Sequence, residues 1–166
     1  MEIKIYGNPV LRKKSIKVDV TPDIIELAHE MIDTMYQDKG VGLAAPQIGK
    51  NIRLVVIDLM DDTGPKILIN PEIYWQSKDN VKMEEGCLSI PGISALVSRP
   101  SSIKYRYTDE NGKTVDRIAD ELEARVIQHE LDHLDGVLYI DRVSPTKLML
   151  LKKELNEIKK KGEAQK

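Results

Sequence analysis

The sequence predicts an α+β fold, in which antiparallel strands pack around one central helix and a further helix follows near the C-terminal end. Two segments rich in β-branched residues are bounded by turn residues and are typical of strands: 52–59 ("IRLVVIDL") and 66–75 ("KILINPEIYW"). The segment from Asp120 to Gly136 has the pattern of a helix with one apolar face. With 166 residues, the chain is long enough for one domain with a hydrophobic core and too short for two. We therefore predict a single domain that spans residues 1–166.

The first helix is predicted to begin after Thr21, because threonine is a good N-cap and Pro22 would occupy the first helical position. Gly40 is its predicted stop. Two later segments, 40–49 ("GVGLAAPQIG") and 84–92 ("EEGCLSIPG"), are punctuated by glycine and proline, so we expect tight loops there. The apolar residues of the first helix recur at helical spacing: Ile24, Leu27, Ala28, Met31 and Met35.

A β-hairpin is predicted for residues 102–119, where polar and apolar residues alternate on both sides of the turn signal Asn111-Gly112. The central helix is predicted to begin at Asp120, with Glu123 completing a capping box, and to end near Gly136.

The last helix is predicted to begin at Ser144-Pro145 and to occupy about residues 147–166, including a frayed tail. Its apolar residues form one stripe and its lysines lie opposite, which is the pattern of an amphipathic helix. The stripe consists of Leu148, Leu151, Leu155 and Ile158.

Composition and charge exclude several classes of protein. The formal net charge is −2, so no general basic field would recruit DNA. No apolar run reaches the ~18–20 residues of a membrane helix, and no signal-peptide pattern is present, so we expect a cytoplasmic protein with no membrane partner. The single cysteine, Cys87, cannot form an intramolecular disulfide. It is either a small buried hydrophobe or a working thiol.

The segment 126–136 ("VIQHELDHLDG") gives the strongest indication of chemistry. His129 and His133 are four residues apart, so a helix places both imidazoles on one face, and Glu130 directly follows the first histidine. On a helix, this H-E-x-x-H pattern is typical of a metal site with two histidine ligands and a glutamate base. Hydrogen-bonded core histidines are the alternative. The same face carries two apolar residues, Leu122 and Val126.

Two histidines do not complete a metal site, because a catalytic zinc-like site takes three protein ligands and leaves a fourth position for water. The sequence after His133 lacks the G-x-x-H extension of familiar metalloproteases. Cys87 is the best candidate for the third ligand, although spacing alone leaves Asp141 and Glu154 open. A thiolate donates more charge to the metal than an imidazole or carboxylate does, which widens the choice of metal to iron.

Three motifs in this chain resemble those of the peptide deformylases, in the family's order: "GVGLAAPQIG" at 40–49, "EGCLSIPG" at 85–92 and "QHELDHLDG" at 128–136. The N-terminal "GNPVLRKKS" is also similar to the family, so the resemblance covers nearly the whole chain. It implies a hydrolase that removes the formyl group from the N-formylmethionine of new bacterial polypeptides. Formylated nascent chains would be its partners.

The resemblance also implies a role for each site residue. Glu130 matches the family's catalytic acid and base, and Gln47 matches a side-chain donor to the reacting oxygen. Leu88 matches a backbone donor to that oxygen. The family's native metal is usually Fe²⁺, which Zn²⁺, Ni²⁺ or Co²⁺ can replace. Three residues match the metal ligands: Cys87, His129 and His133.

Residues that contact the substrate follow from the same resemblance. Gly42 matches a position whose backbone contacts the substrate peptide. Glu85 and Arg99 are expected to form a pair that braces the cysteine segment, as in relatives. Candidates for the pocket that takes the methionine side chain, which could equally be plain core residues, are Val41, Leu122 and Val126.

The predicted C-terminal helix has two interpretations. Its lysine-rich face is either an ordinary solvated surface or, as the resemblance suggests, a contact with ribosomal RNA near the exit of the nascent chain. Two other functions stay open for the chain as a whole. A metal-dependent peptidase would need a further histidine or glutamate ligand beyond the helix, and a purely structural metal domain would need four protein ligands.

Overall fold

The computed structural model describes residues 1–166, and the predicted α+β class is confirmed. The division into one domain stays a prediction. Three α-helices are present: α1 (Pro22–Gln37), α2 (Glu121–Leu134) and α3 (Pro145–Ala164). Short 3₁₀ helices lie at Pro9–Arg12, Ala45–Ile48 and Tyr139–Arg142. None of the helices combines the length and apolar character that a membrane-spanning helix needs.

The strands form two separate antiparallel sheets. The larger sheet has the order β1-β2-β3-β6-β7, and the smaller one is the hairpin β4-β5. The hairpin between β6 and β7 is the one that Asn111-Gly112 predicted. The seven strands are β1 (Gly42–Ala44), β2 (Leu54–Ile57), β3 (Lys66–Gln76), β4 (Asn80–Cys87), β5 (Ile90–Pro100), β6 (Ser102–Thr108) and β7 (Thr114–Asp120).

The larger sheet is covered by a helix on each face. Because side chains alternate along a strand, Val55 and Ile57 of β2 pack in one cluster with α2, while Leu54 and Val56 pack in another with α1. The β4-β5 hairpin forms a third cluster with Tyr139 and the apolar stripe of α3. The predicted central position of the histidine-bearing helix is therefore confirmed, since α2 lies in the main core and hydrogen-bonds to the hairpin.

Both segments predicted as loops contain regular structure. Residues 42–44 form β1, paired with residues 55–57 of β2, and the 3₁₀ helix follows at once. The cysteine segment lies at the turn of the β4-β5 hairpin, where the pairing slips between Gly86 and Cys87. The loop predictions were wrong because glycine and proline here mark strand ends and a pairing irregularity.

The predicted capping box at the start of α2 is wrong. Asp120 is the N-cap residue, but its side chain caps no helix N–H. The carboxylate of Glu123 turns to the neighbouring sheet instead, where it accepts hydrogen bonds from Tyr105 (2.8 Å) and Arg117 (2.8 Å). A partly buried tyrosine and a guanidinium are stronger partners for this carboxylate than one backbone amide.

We expect the Glu123→Gln variant to be less stable at neutral pH, and the loss to shrink in acid. Burial opposes ionisation of Glu123, but the hydrogen bonds from Arg117 and Tyr105 outweigh it and lower its pKa. The folded chain therefore binds fewer protons here than the unfolded chain. The stabilisation, about 1–3 kcal/mol for a charged hydrogen-bonded group, is complete above the unfolded pKa and is lost as the pH falls through the folded pKa.

Urea unfolding at pH 7 and at about pH 3.5 checks this expectation. Glu157→Gln is the matched control, because Glu157 is exposed on α3 and forms no salt bridge. A difference between wild type and Glu123→Gln that stays constant across this pH range would contradict the interpretation.

The C-terminal residues are ordered by the N-terminal segment rather than frayed. Gly162 of α3 lies against the backbone of the N-terminal segment, and Gly7 of that segment lies against the backbone of α3. A Cβ at either position would overlap a carbonyl oxygen. The side chain of Gln165 accepts a hydrogen bond from the Ile5 N–H (2.8 Å) and donates one to the Ile3 carbonyl (3.0 Å). The expected frayed tail is therefore part of the packed structure.

Candidate metal centre and active site

Three potential metal ligands converge where the hairpin meets α2. Cys87 lies at the end of β4, while His129 and His133 lie one turn apart on α2. One donor atom from each residue lies within 4.8 Å of the others. The Cys87 Sγ and the His133 Nε2 are 3.3 Å apart. The structure thus brings together the three residues that the sequence predicted as ligands.

The orientation of His129 is set by a buried carboxylate. Its Nδ1 lies 2.8 Å from the Glu85 Oε1, which leaves the Nε2 as the nitrogen available to a metal. The ring also stacks on Tyr139, with centroids 6.0 Å apart. Burial works against protonation of His129, but hydrogen bonds and charge from Cys87 and Glu85 raise its pKa well above the usual value. The hydrogen bond to Glu85 and the stacking on Tyr139 therefore fix the orientation of this ring.

Glu85 is held by two arginines as well as by His129. Arg99 binds it through two nitrogens, at 2.6 and 2.9 Å, and Arg125 adds a third contact at 2.7 Å. Glu85 and both arginines are buried. Burial opposes ionisation of Glu85, but hydrogen bonds from His129 and the arginines prevail and hold its pKa well below the usual range. The predicted Glu85–Arg99 pair is thus part of a larger buried network.

The network continues to the end of the helix through Asp132. This carboxylate accepts a hydrogen bond from Arg99 (2.8 Å) and two from Arg142 (2.7 and 2.9 Å). It therefore ties the hairpin to α2 and to the 3₁₀ helix at 139–142. The side-chain positions around the three ligands are fixed by charge-assisted hydrogen bonds rather than by packing alone.

Glu130 is buried beside the ligands, and its Oε2 has no hydrogen-bond partner. Burial raises the pKa of Glu130 to about 7. The carboxylate packs against Gly42 of β1, where a Cβ would lie 2.5 Å from the Glu130 Oε1. Only glycine leaves room for Glu130 at this position. A buried carboxylate oxygen without a donor is costly, and a water or substrate N–H would satisfy it.

Gln47 presents its amide to the same space. Its Oε1 accepts a hydrogen bond from the Ala44 N–H (2.9 Å), which directs the Nε2 toward Cys87 Sγ (3.4 Å) and Ser89 Oγ (3.1 Å). Leu88 follows Cys87 in the hairpin turn, and its N–H donates to no backbone carbonyl. Two N–H donors therefore flank the cysteine.

A cavity of ≈ 790 Å³ opens onto these groups and is lined by Cys87, His129 and Glu130. This volume falls in the range typical of small-ligand sites. Val126 is buried in its wall, whereas Val41 and Leu122 are about half exposed at 41% and 48%. Leu122 lies in the exposed first turn of α2, so of these three residues only Val126 belongs to the core. All three residues nevertheless line the cavity.

The sequence matches the polypeptide deformylase family over residues 1–149. The chain belongs to this family. The peptide deformylase of Thermotoga petrophila is 46% identical over 157 residues, covering 94% of both chains. Among solved structures, the peptide deformylase of Thermus thermophilus is 39% identical with a TM-score of 0.89, covering 97% of this chain and 98% of the other. The enzyme of Synechococcus elongatus, solved with actinonin, is 42% identical with a TM-score of 0.86, covering 97% and 86%.

As a polypeptide deformylase, the chain is a metal-dependent hydrolase that removes the N-formyl group from newly synthesised polypeptides. Formylated nascent chains are its substrates. This assignment replaces the two alternatives that the sequence left open, a peptidase and a purely structural metal domain.

The donor set fits the single metal ion that a polypeptide deformylase uses. The cluster comprises one thiol and two imidazoles with no fourth ligand, which is the pattern of a catalytic rather than a structural site. Neither alternative ligand belongs to it, since Asp141 pairs with Arg12 and Glu154 is exposed on α3. Two of the three buried side-chain polar atoms without a hydrogen bond, Glu130 Oε2 and His133 Nδ1, also lie here.

Several supporting residues were missed from the sequence. Arg125 and Asp132 support the deformylase site through Glu85 and Arg99, Tyr139 stacks on His129, and Ser89 contacts Gln47. The spacing of Arg125, four residues and about one helical turn before His129, was the only available signal. The partners of the other residues come from distant parts of the chain, so no local pattern reveals them.

Proposed function

We propose that Cys87, His129 and His133 hold the metal ion, natively Fe²⁺, and that Zn²⁺, Ni²⁺ or Co²⁺ can replace it. The observation that carries this proposal is the convergence of the three donor atoms within 4.8 Å, beside a buried glutamate. A thiolate with two imidazoles suits iron and zinc better than the hard cations Mg²⁺ or Ca²⁺. When bound, such an ion supplies Lewis acidity and a water of lowered pKa.

Glu130 is the proposed general base and acid. It accepts a proton from the attacking water as the water oxygen bonds to the formyl carbon. When the C–N bond breaks, it delivers a proton to the departing nitrogen, which leaves formate and a free methionine amine. The raised pKa of Glu130, about 7, suits a group that must both take and release a proton near neutral pH.

Gln47 and Leu88 are the proposed donors to the oxygen that becomes negative during attack. The Gln47 Nε2 is aimed by its hydrogen-bonded Oε1, and the Leu88 N–H has no backbone acceptor. Donors held in place before the reaction stabilise developing charge without having to reorganise. Only the backbone of Leu88 is used, so its side chain should tolerate substitution.

We expect Gln47→Leu to lower kcat by about 10²–10³-fold, the usual cost of losing one such donor. The metal content should stay at the wild-type level, since Gln47 is not one of the three clustered donors. Initial-rate kinetics and metal analysis of the same sample measure both quantities. Gln37→Leu is the matched control, because Gln37 is exposed at the end of α1. Wild-type turnover in Gln47→Leu would remove Gln47 from the mechanism.

The ≈ 790 Å³ cavity is the proposed substrate pocket. The backbone at Gly42 faces the peptide, while Val41, Leu122 and Val126 contact the unbranched methionine side chain. Burial of an apolar side chain against such residues is worth about 1.5–3 kcal/mol. We further propose that actinonin, bound by the Synechococcus elongatus enzyme, binds in this pocket.

One assay tests the proposed chemistry. Protein purified without oxygen is analysed for metal, and formate release is followed with a formyl-methionyl peptide, with and without actinonin. We expect iron at about one ion per chain by the donor set, turnover that falls in air and returns with nickel, and inhibition by actinonin. Turnover that is unchanged when the metal is removed would overturn the proposal.

The proposed site of action is the cytoplasm, at the ribosome, through the lysine-bearing face of α3. Lys152, Lys153 and Lys160 are exposed on this helix, and Lys153 and Lys160 lie opposite the buried Leu155. Contacts between lysines and RNA phosphates weaken steeply with salt. Deleting the helix would uncover the hairpin core, so substitution is the cleaner experiment.

We expect the triple variant Lys152→Gln, Lys153→Gln and Lys160→Gln to lose salt-dependent co-sedimentation with ribosomes. Formate release from a free peptide should stay unchanged, because none of these residues lines the substrate cavity. The control replaces three exposed lysines of the N-terminal segment, Lys13, Lys14 and Lys17. Equal loss in both triple variants would contradict a contact specific to α3.

A further inference from the structure

A second cavity lies next to the substrate cavity. It has a volume of ≈ 280 Å³ and lies between the open end of the β4-β5 hairpin and the start of α2. Its lining combines apolar residues of the hairpin, Val81, Met83 and Pro100, with polar residues at its rim, Ser101, Ser102, Asp120 and Glu121. Arg125 is the only residue that lines both this second cavity and the substrate cavity. Its side chain therefore separates the two spaces.

Arg125 is a fixed wall rather than a mobile group. It is 6% exposed, and its guanidinium donates three hydrogen bonds to the hairpin. The Nη1 binds Glu85 (2.7 Å) and the Val97 carbonyl (2.8 Å), and the Nη2 binds the Val81 carbonyl (2.6 Å). Moving the side chain would leave a buried carboxylate and two carbonyls short of a donor, each of which costs about 1–3 kcal/mol.

The second cavity is large enough to matter for substrate choice. An enclosed cavity of about 150 Å³ accepts a benzene molecule, so the ≈ 280 Å³ of this second cavity, which opens to solvent beside Val81, has room for several additional methylene groups. A first side chain longer than methionine would need this space if Arg125 did not occupy the boundary.

We infer that Arg125 is a specificity-determining residue that closes the inner end of the substrate pocket and limits the length of the first side chain. This inference rests on the proposed use of the cavity for that side chain. Removing the guanidinium joins the two cavities and lets longer unbranched side chains enter. The same change also removes a hydrogen-bond donor from Glu85, so it lowers the turnover of every substrate. The preference for one substrate over another, in contrast, depends only on the space available to the first side chain.

The test compares two formyl peptides that differ only in the first residue, methionine or the longer 2-aminooctanoic acid. We expect wild type to favour methionine in kcat/KM by at least about tenfold, since an added methylene costs 10–200-fold where no space exists. Arg125→Ala should bring this ratio close to unity. Arg125→Met, which keeps an unbranched chain of similar reach but loses the charge, should keep the wild-type ratio with the same general loss of turnover.

Filling the second cavity from its outer side completes the test. Val81 is 44% exposed, so Val81→Trp should fold. Alone it should leave the ratio unchanged, and combined with Arg125→Ala it should restore discrimination. An unchanged ratio in folded, metal-loaded Arg125→Ala would overturn the inference. A changed kcat/KM ratio in Val81→Trp alone would also overturn the inference, and this measurement requires no substitution at Arg125. Turnover of the methionyl peptide by wild type tests the proposed function separately.

Discussion

We expect Glu130→Gln to lose about 10²–10⁴-fold in kcat, the usual contribution of a positioned acid and base. Glutamine has the same shape as glutamate, so the close approach to Gly42 is preserved. It cannot take the proton from water or return one to the leaving amine. Metal content should remain at the wild-type level, because the three clustered donors are untouched. Steady-state kinetics and elemental analysis on one preparation measure both.

Glu123→Gln is the matched control for this prediction. It removes a carboxylate from the same helix two turns earlier, and Glu123 does not line the substrate cavity. Its kcat should equal that of wild type at a temperature where both are folded. Turnover in Glu130→Gln within a factor of a few of wild type would show that another group moves the proton.

Glu85→Ala is expected to damage both stability and metal affinity. The substitution leaves the buried Arg125 with no carboxylate and Arg99 with Asp132 alone, and breaking a buried pair from one side costs about 3–5 kcal/mol. It also removes the hydrogen-bond partner of the His129 Nδ1, and the loss of such a partner lowers metal affinity by about 10–100-fold. Thermal unfolding of metal-free protein and competition with a chelator separate the two effects.

Glu72→Ala is the comparison for Glu85→Ala. Glu72 also pairs with an arginine, Arg106 at 3.1 Å, but on the exposed outer face of the sheet, where 53% of its side chain is accessible. Such pairs contribute about 0–1 kcal/mol, and no metal ligand depends on it. If both variants lost equal stability and neither released metal more readily, the supporting role of Glu85 would be wrong.

The fold was predictable where local patterns carry the information. The Asn111-Gly112 hairpin, the N-caps at Thr21 and Ser144 and the apolar stripe of α3 follow from residues close in sequence. The short strand β1 was missed because it forms only by pairing with β2, about a dozen residues later. Pairing between separate segments depends on tertiary packing, which overrides local glycine and proline signals.

The candidate site shows the same division. The histidine spacing indicated a metal helix with Cys87 as the best candidate for its third ligand, and the family resemblance added Gln47 and Leu88. The structure gathers Cys87, Gln47 and Leu88 around the same cavity. Their supporting partners could not be predicted, because Glu85 meets Arg125 across 40 positions of the sequence and Arg99 meets Asp132 across 33. No short window contains both members of either pair.

The close backbone approach at Gly7 and Gly162 determines how α3 is presented. Because no side chain separates the helix from the N-terminal segment there, α3 cannot roll about its long axis without a steric collision. The position of its lysines relative to the opening of the catalytic pocket is consequently fixed. A partner that bound those lysines would therefore hold the opening of the pocket in one fixed orientation relative to itself.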